Sequence, residues 1–173
     1  MLRPMTSPAN RAIRPTDNAA RRKAQELLAG ARTAALGVLD PDTGAPMVSR
    51  VAFGRAPDGA PLSLISDLAT HSRALAADAR CSLLIDGAGG RGDPLNQPRM
   101  TLQARARFVR HGDAGHDELS RHYLAQQPKA KLYAGFADFA FVLFAVESAR
   151  LNGGFGKAFV LGPADIGVPG ARQ

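Results

Sequence analysis

The stretch TAALGVLDPDTGAPMVSRVAFGRAPDGAPLSLIS, residues 33–66, has the clearest pattern of strands and turns in the chain. Three short apolar segments, 33–39, 46–54 and 62–66, are separated by two sequences in which proline, aspartate and glycine lie side by side. Such sequences form tight turns, and short apolar segments between tight turns are typical of strands that pair with their neighbours in the chain. The stretch therefore predicts an antiparallel meander of three strands.

The rest of the chain continues this pattern of short strands and adds helices. We expect an N-terminal helix, capped by Asp17 or Asn18 and ending near Gly30, and a later helix over 113–127 that is capped by Asp113. A short helix is expected over 70–78, and further strands over 81–86, 99–109, 139–146 and the end of 149–160. Six or seven antiparallel strands usually close into a barrel, because closure removes exposed edges. The prediction is an α+β chain, mainly antiparallel β, with two or three flanking helices.

Length and composition exclude several classes of protein. The chain has 173 residues and a single cysteine, Cys81, which excludes a disulfide scaffold and fits a reducing compartment. No apolar run is long enough to cross a bilayer, and the N-terminus has no apolar signal-peptide core. We therefore expect a cytoplasmic protein with no membrane partner. It would have a mobile basic segment at 1–16, one domain at 17–161 and a tail at 162–173.

The positive charge is concentrated at the N-terminus. The formal net charge is +7, and residues 1–32 carry +5 of it. A basic arm of this kind can bind phosphates non-specifically, which leaves a nucleic-acid-binding module as a minor hypothesis. The early basic residues have no aromatic residues among them to stack on bases, so the sequence favours a solvated arm and disfavours nucleic acid as a partner.

The sequence gives little support for a nucleophile or a metal site. Of the four histidines, His116 and His122 are six residues apart, which does not place them on one helical face. No carboxylates accompany them in a fixed pattern, so we predict no metal site. Cys81 lies within a predicted strand and is expected to pack inward. No general acid or base is identified, and the catalytic residues stay unknown.

The sequence SDLATHSR, residues 66–73, is the best candidate site. It ends a predicted strand and begins a predicted helix, and the free N–H groups of a helix N-terminus attract anions. Thr70 and Ser72 add hydroxyl groups, and Arg73 adds a guanidinium that can bind two phosphate oxygens. Arg50 would join them if its strand lies beside the strand 62–66. The pattern predicts a site for a phosphomonoester; the alternative is an ordinary helix start with surface arginines.

Several motifs carry a family resemblance that covers residues 22–160. They are VSRVAF at 48–53, SDLATHS at 66–72, GDPL at 92–95 with PRMTLQARA at 98–106, and YAGFADF at 133–139 followed by GGFGKA at 153–158. Taken together, they resemble the pyridoxamine 5′-phosphate oxidase-like FMN-binding split-barrel family, and most closely its haem-utilisation branch. The resemblance implies a split β-barrel of six to seven strands and a homodimer with flavin sites at the subunit interface.

The resemblance also implies the residues that contact FMN. It assigns the phosphate and ribityl chain to Arg50, Ser72 and Arg73, and the ring or its ribityl edge to Val51, Ile65 and Ser66. Arg99 falls where the oxidases place a flavin-contacting glutamine. The glycine-rich turn at 153–156 either approaches the ring in the partner subunit or is a plain hairpin turn.

Three departures from the oxidases narrow the implied function. Ala74 stands where they carry a phosphate-binding lysine, the chain has no tryptophan, and residues 162–173 lack their arginine-bearing segment. These departures argue against oxidation of pyridoxamine phosphate. The leading hypothesis is an FMN-dependent oxidoreductase that acts on an unidentified small molecule. The alternative is a haem-binding or haem-utilisation protein that uses the same barrel without flavin turnover. Such proteins usually carry a further C-terminal domain, which this sequence does not show. The candidate axial ligands are the four histidines His71, His111, His116 and His122.

Overall fold

One antiparallel sheet forms the body of the molecule in the computed structural model, which describes residues 13–87, 91–154 and 156–170. Its eight strands are β1 Thr33–Leu39, β2 Pro46–Ala52, β3 Gly54–Arg55, β4 Pro61–Ser66, β5 Arg80–Asp86, β6 Arg99–Val109, β7 Phe139–Asn152 and β8 Ala158–Leu161. Its three α-helices are α1 Asn18–Gly30, α2 Thr70–Ala77 and α3 His116–Gln126. Single 3₁₀ turns cover Pro94–Asn96, Pro128–Leu132 and Ala164–Ile166.

The order of the strands curls the sheet into a split barrel. The order is β2-β1-β5-β6-β7-β4-β3, with β8 paired to β7. β2 and β3 follow one another in the chain across Phe53, yet they stand at the two ends of this order. The sheet therefore curls until its edges approach, and the Ser63 hydroxyl on β4 donates a hydrogen bond to the Ala52 carbonyl on β2 at 2.7 Å. The predicted mainly antiparallel split barrel is confirmed.

Two details of the predicted sheet are wrong. The predicted strand 46–54 is two strands, because the chain turns at Phe53, and this gives eight strands rather than six or seven. The predicted meander also fails at its third strand. β4 pairs with β7 and with the two residues of β3, not with β2. Curling of the sheet decides this pairing, and local alternation carries no information about it.

The core lies in two clusters, each covered by a helix. The inner faces of the strands and the apolar side of α1 form the larger cluster, which includes Leu28, Leu36, Leu83, Met100, Leu102 and Phe144. The smaller cluster joins α3 to β4 and β7 through Leu119, Tyr123, Leu62, Leu64 and Phe141. Cys81 is buried, as predicted. Fully burying a large apolar side chain stabilises a fold by about 1.5–3 kcal/mol, so these clusters hold the helices on the sheet.

The helix starts test the predicted caps. Asp17 caps α1, because its carboxylate accepts a hydrogen bond from the Ala20 N–H at 2.7 Å. The prediction that Asp113 caps α3 is wrong. The Asp113 carboxylate instead accepts the Arg110 N–H at 2.8 Å, and α3 begins after Gly115, whose φ of 84° favours glycine. A turn held by Asp113 therefore delays the helix to His116.

Both ends of the described chain pack on the barrel. The Arg14 N–H donates to the Ala158 carbonyl at 2.8 Å, and the Thr16 hydroxyl donates to the Val160 carbonyl at 3.1 Å. At the other end, Ile166 and Val168 belong to the main core. The packed body therefore extends over part of the predicted N-terminal segment and tail, while residues 1–12 and 171–173 lie outside the described residues. Among the helices that the structure describes, none has the length and apolar character to span a bilayer.

Candidate functional site

The connection from β4 to α2 is held by side-chain hydrogen bonds. The Ser66 hydroxyl donates to the Asp138 carboxylate at 2.6 Å and accepts the Leu68 N–H at 3.1 Å. The Ser72 hydroxyl donates to the Ser66 carbonyl at 2.6 Å, and the Asp67 N–H donates to the Asp138 carbonyl at 2.7 Å. The turn 66–73 is thereby fixed against the segment 133–139. We call these two segments together the α2 corner.

The first turn of α2 has no side-chain cap. Its N-cap residue is Ala69, which offers only its carbonyl, to the N–H groups of Ser72 and Arg73. In the part of the chain that is described, the N–H groups of Thr70 and His71 have no hydrogen-bond acceptor. A helix start with open donors attracts an anionic group. The predicted helix start is present, and anion binding there stays a prediction; the Ser72 hydroxyl donates to the Ser66 carbonyl and so contributes to the fold.

His71 lies at the centre of the α2 corner. Its ring is half-buried, and its Nδ1 is hydrogen-bonded to the Ser49 hydroxyl on β2 at 3.0 Å. Burial lowers the pKa of the imidazole, so the neutral form dominates at neutral pH. The sequence placed His71 within the candidate stretch 66–73 and among four possible axial ligands, without choosing between the four. The contact with Ser49 separates it, and that contact exists only because the curled sheet brings β2 to α2.

The side chains of Arg50 and Ser49 project from opposite faces of β2. Successive side chains of a strand point to opposite faces, and the register places Arg50 across from Ala35 and Ser49 across from Leu36. Arg50 is therefore exposed on the outer face of the sheet, while Ser49 contacts α2. A shared phosphate contact by Arg50 and Arg73 stays a prediction.

The other residues assigned by resemblance lie in different places. Val51 and Ile65 are buried in the main core. Arg99 on β6 pairs with Asn152, whereas Ser66 on β4 pairs with Phe139. The two residues therefore lie beside opposite ends of β7. The Arg99 guanidinium donates to the carbonyls of Leu95 and Gln97 at 2.9 and 3.3 Å and so holds the loop before β6. One chain thus brings together Ser66, Thr70, Ser72 and Arg73, and leaves Arg99 apart.

The α2 corner contains one guanidinium, Arg73, and two carboxylates, Asp67 and Asp138, so its own formal charge is −1. The Arg73 guanidinium pairs with Asp42 at 3.2 Å, and both side chains are exposed. Arg110 pairs with Asp67 beside Ser66. Asp67 was already within the predicted stretch 66–73, whereas Asp42 comes from a remote turn, and Arg73 would have to leave Asp42 to bind a ligand with its full charge. An exposed pair of this kind contributes only about 0–1 kcal/mol, so a ligand can replace it.

Apolar side chains flank the polar turn. Leu68 is 84% exposed and Phe136 is 57% exposed, so both add apolar surface beside the polar turn. The centroid of the Phe139 ring lies 6.3 Å from that of Phe136 and 5.0 Å from that of Tyr133. The α2 corner therefore combines open backbone donors, a neutral imidazole and exposed apolar surface. A planar ligand with anionic groups on its edge suits this combination.

Of the remaining histidines, His111 is exposed and contacts the α2 corner, His116 is buried within the fold, and His122 is exposed on α3. His116 is buried beside Phe141, with its Nδ1 3.3 Å from the Asp117 carboxylate. His111 stacks on His116 with ring centroids 4.4 Å apart and donates from Nε2 to the Phe136 carbonyl at 3.2 Å. His122 is exposed on α3. Within residues 13–87, 91–154 and 156–170, no group of three or more histidine, cysteine or acidic side chains is arranged to hold a metal ion.

The curled antiparallel sheet, with helices on its flanks and its two edge strands adjacent, defines a protein of the split-barrel class. Within that class, the chain belongs to the pyridoxamine 5′-phosphate oxidase family, whose model matches residues 20–153.

Individual relatives of this chain include proteins named for haem. The chain is 34% identical over 119 residues to the chloroplastic non-canonical haem oxygenase HOZ of Arabidopsis thaliana; the match covers 68% of this chain and 35% of HOZ. A haem-binding protein from Mycobacterium smegmatis is 30% identical, with a TM-score of 0.76 over 90% of this chain and 61% of that one. HutZ, a haem storage protein from Vibrio cholerae, has a TM-score of 0.64 at 20% identity over 73% of this chain and 89% of its own, and shows the shared fold alone. The chain thus spans about a third of HOZ and less than two thirds of the mycobacterial protein.

Proposed function

We propose that this chain is a haem-binding protein and that the haem binds at the α2 corner. The observation that carries the proposal is the His71 imidazole, which is half-buried, held at Nδ1 by Ser49, and kept neutral by its burial. Neutral imidazole is the form that binds a metal, and a hydrogen bond at one ring nitrogen orients the other. The haem-named relatives that share the fold support the same ligand.

The surroundings of His71 fit the other parts of a haem. When Nδ1–H donates to the Ser49 hydroxyl, the lone pair of Nε2 is available to iron. Leu68 and Phe136 offer apolar surface to the macrocycle, and Arg73 with the open N–H groups of α2 offers donors to the propionates. A bound haem would supply an iron whose remaining coordination position can bind a further ligand. The role of the protein is then to orient the haem and to hold its carboxylates.

Haem titration tests this proposal. We expect haemin to produce a Soret band in the wild-type protein, and His71→Ala to shift that band and weaken binding by at least about tenfold. His122→Ala is the matched control, because His122 is exposed on α3 and away from the corner. Ser49→Ala should keep the ligand and lower the affinity by a smaller factor. An unchanged Soret band and affinity in His71→Ala would show that His71 is not the ligand.

A second candidate is an FMN-dependent oxidoreductase that acts on a small molecule. The uncapped start of α2, with the exposed hydroxyl of Thr70 and the guanidinium of Arg73, favours it, because these groups suit a phosphate. The family resemblance adds Arg50, Val51, Ile65 and Arg99. FMN would supply the electron chemistry, and the chain would supply the phosphate contacts.

Parallel titrations separate the two cofactors. If FMN is the ligand, it should bind and shift the melting temperature, and Arg73→Gln should weaken it by about tenfold or more. Arg121→Gln, an exposed change on α3, should leave FMN binding unchanged. Tight haemin binding without FMN binding supports the first candidate, and the reverse result supports the second.

We also propose that the active form is a homodimer with the cofactor site completed at the subunit interface. The outer face of β2 supports this, because Val48 there is 70% exposed beside the exposed Arg50, and no described helix covers it. Light scattering after size exclusion should report twice the chain mass. Val48→Glu should shift the protein toward the monomer and weaken cofactor binding together with it. A wild-type monomer that binds its cofactor fully would refute the interface.

A further inference from the structure

A separate cleft lies between the start of α1 and the hairpin that joins β7 to β8. Its volume is about 290 Å³. The floor of the cleft is apolar and buried, and consists of Ala20 from α1, Leu151 from β7 and Phe159 from β8. Leu151 lies near the end of β7 that is remote from Ser66, so the cleft is distinct from the α2 corner.

Three cations surround this apolar floor. They are Arg14 from the segment before α1, Lys23 from α1, and Lys157 from the β7–β8 hairpin. Lys23 pairs with Glu26 at 2.7 Å, while Arg14 and Lys157 form no ion pair with any residue that the structure describes. The one carboxylate in the lining is Asp17, which already accepts the Ala20 N–H as the cap of α1. The cleft thus has a net positive charge.

The backbone fixes two of these cations in place. The Arg14 N–H donates to the Ala158 carbonyl at 2.8 Å, which ties it to the start of β8. Lys157 lies in a closed turn, where its carbonyl accepts the Gly153 N–H at 2.8 Å and its N–H donates to the Gly154 carbonyl at 3.1 Å. Their Cα atoms are therefore held at the margin of the cleft, and only the side chains need to be ordered when a ligand binds.

We infer that this cleft binds an amphipathic anion, namely a carboxylate on a short apolar body. The apolar floor gains free energy by covering hydrocarbon, and the unpaired cations gain by holding a carboxylate in their midst. An inorganic anion would leave the apolar floor exposed to water, and a neutral hydrocarbon would leave the cations unpaired. The volume of about 290 Å³ lies just below that of common ligand sites, about 300–1,000 Å³, so the apolar body must be short.

Calorimetric titration with three probes tests the inference on the full chain. Octanoate should bind. 1-Octanol, which lacks the carboxylate, and acetate, which lacks the long apolar chain, should each bind at least about tenfold more weakly. The double variant Arg14→Gln, Lys157→Gln should weaken octanoate by about tenfold, because each charge-assisted contact is lost. Lys131→Gln, at an exposed position outside the cleft, is the matched control and should bind octanoate as the wild type does.

A second variant tests the position of the apolar body. Ala19 is exposed and lines the cleft, so Ala19→Phe should fill the opening and abolish octanoate binding without disturbing the core. Circular dichroism and the melting temperature check that each variant is folded. Equal octanoate affinity in the wild type and the double variant would overturn the inference, as would the absence of octanoate binding below its micelle concentration. Equal affinity for octanoate and acetate would also overturn it, because the floor would then contribute nothing.

Discussion

Replacing Gly54 with alanine should destabilise the fold through one contact. A Cβ at this position would lie 2.9 Å from Cδ2 and 3.0 Å from Cε2 of Tyr123. That ring is fully buried and packs edge-on against Phe141 with centroids 5.5 Å apart, so it has no free space to move into. Gly54 does not have a positive φ, so the backbone itself accepts alanine. Overpacking of this kind costs about 1–3 kcal/mol, and alanine recovers about 0.4–1 kcal/mol through the unfolded state.

We therefore expect Gly54→Ala to lower the free energy of unfolding by about 1–2 kcal/mol, measured by urea denaturation. The melting temperature should fall by about 2–8 °C for a chain of this size. Gly30→Ala is the matched control: Gly30 ends α1 with nothing within 4 Å of its Cβ position, so this change should leave stability equal or slightly raised. In a Tyr123→Leu background the cost of Gly54→Ala should shrink. An equal cost in both backgrounds would refute the steric reason.

Three further predictions follow from the titratable groups. Burial raises the pKa of the Cys81 thiol to about 12, so a disulfide reagent should leave it unmodified in the native protein at neutral pH and modify it after denaturation; rapid native labelling would contradict this. The hydrogen bond from Arg21 holds the pKa of Asp165 below its usual value. The ionised Asp165 carboxylate therefore stabilises the fold above about pH 4, and this stabilisation is lost as the pH falls. Asp165→Asn should therefore lower the free energy of unfolding, measured by urea denaturation, less at pH 3 than at pH 7. Burial lowers the pKa of His71, so the unfolded chain binds the proton more readily and stability should fall from about pH 7 to pH 5. His71→Gln should flatten that part of the profile, and an equally steep profile would show that His71 is solvated.

The strands and the α1 cap were predictable because their signals are local. The turns at 40–44 and 56–59 separate β1, β2 and β4 within a few residues, and Asp17 caps the helix that immediately follows it. The cap of α3 was wrong for a reason that is also local. Asp113 can hold either a turn or a helix start, and it accepts the Arg110 N–H instead. Sequence alone does not rank these two uses of one carboxylate.

The candidate site was only partly predictable. Residues 66–73 were identified because a strand, a turn and a helix follow one another there, and the structure has that arrangement. The partners that set its chemistry come from remote segments: Ser49 orients His71, Asp138 holds Ser66, and Asp42 pairs with Arg73. No residue near His71 in the sequence indicates a contact with Ser49. That contact depends on the order of the strands, which brings β2 beside α2.

From the amino-acid sequence alone it was possible to predict most of the strand segments, most of the turns, and the helix that follows the strand ending at Ser66. Strand periodicity and turn preferences depend on residues that are close together in the sequence, so they can be read without knowing the tertiary structure. Tertiary structure alone decided that β4 pairs with β7, that Ser49 and Arg50 face opposite sides, and that three cations meet over an apolar floor. Closure of the sheet sets these outcomes, because it depends on how all the strands bury their inner faces at once.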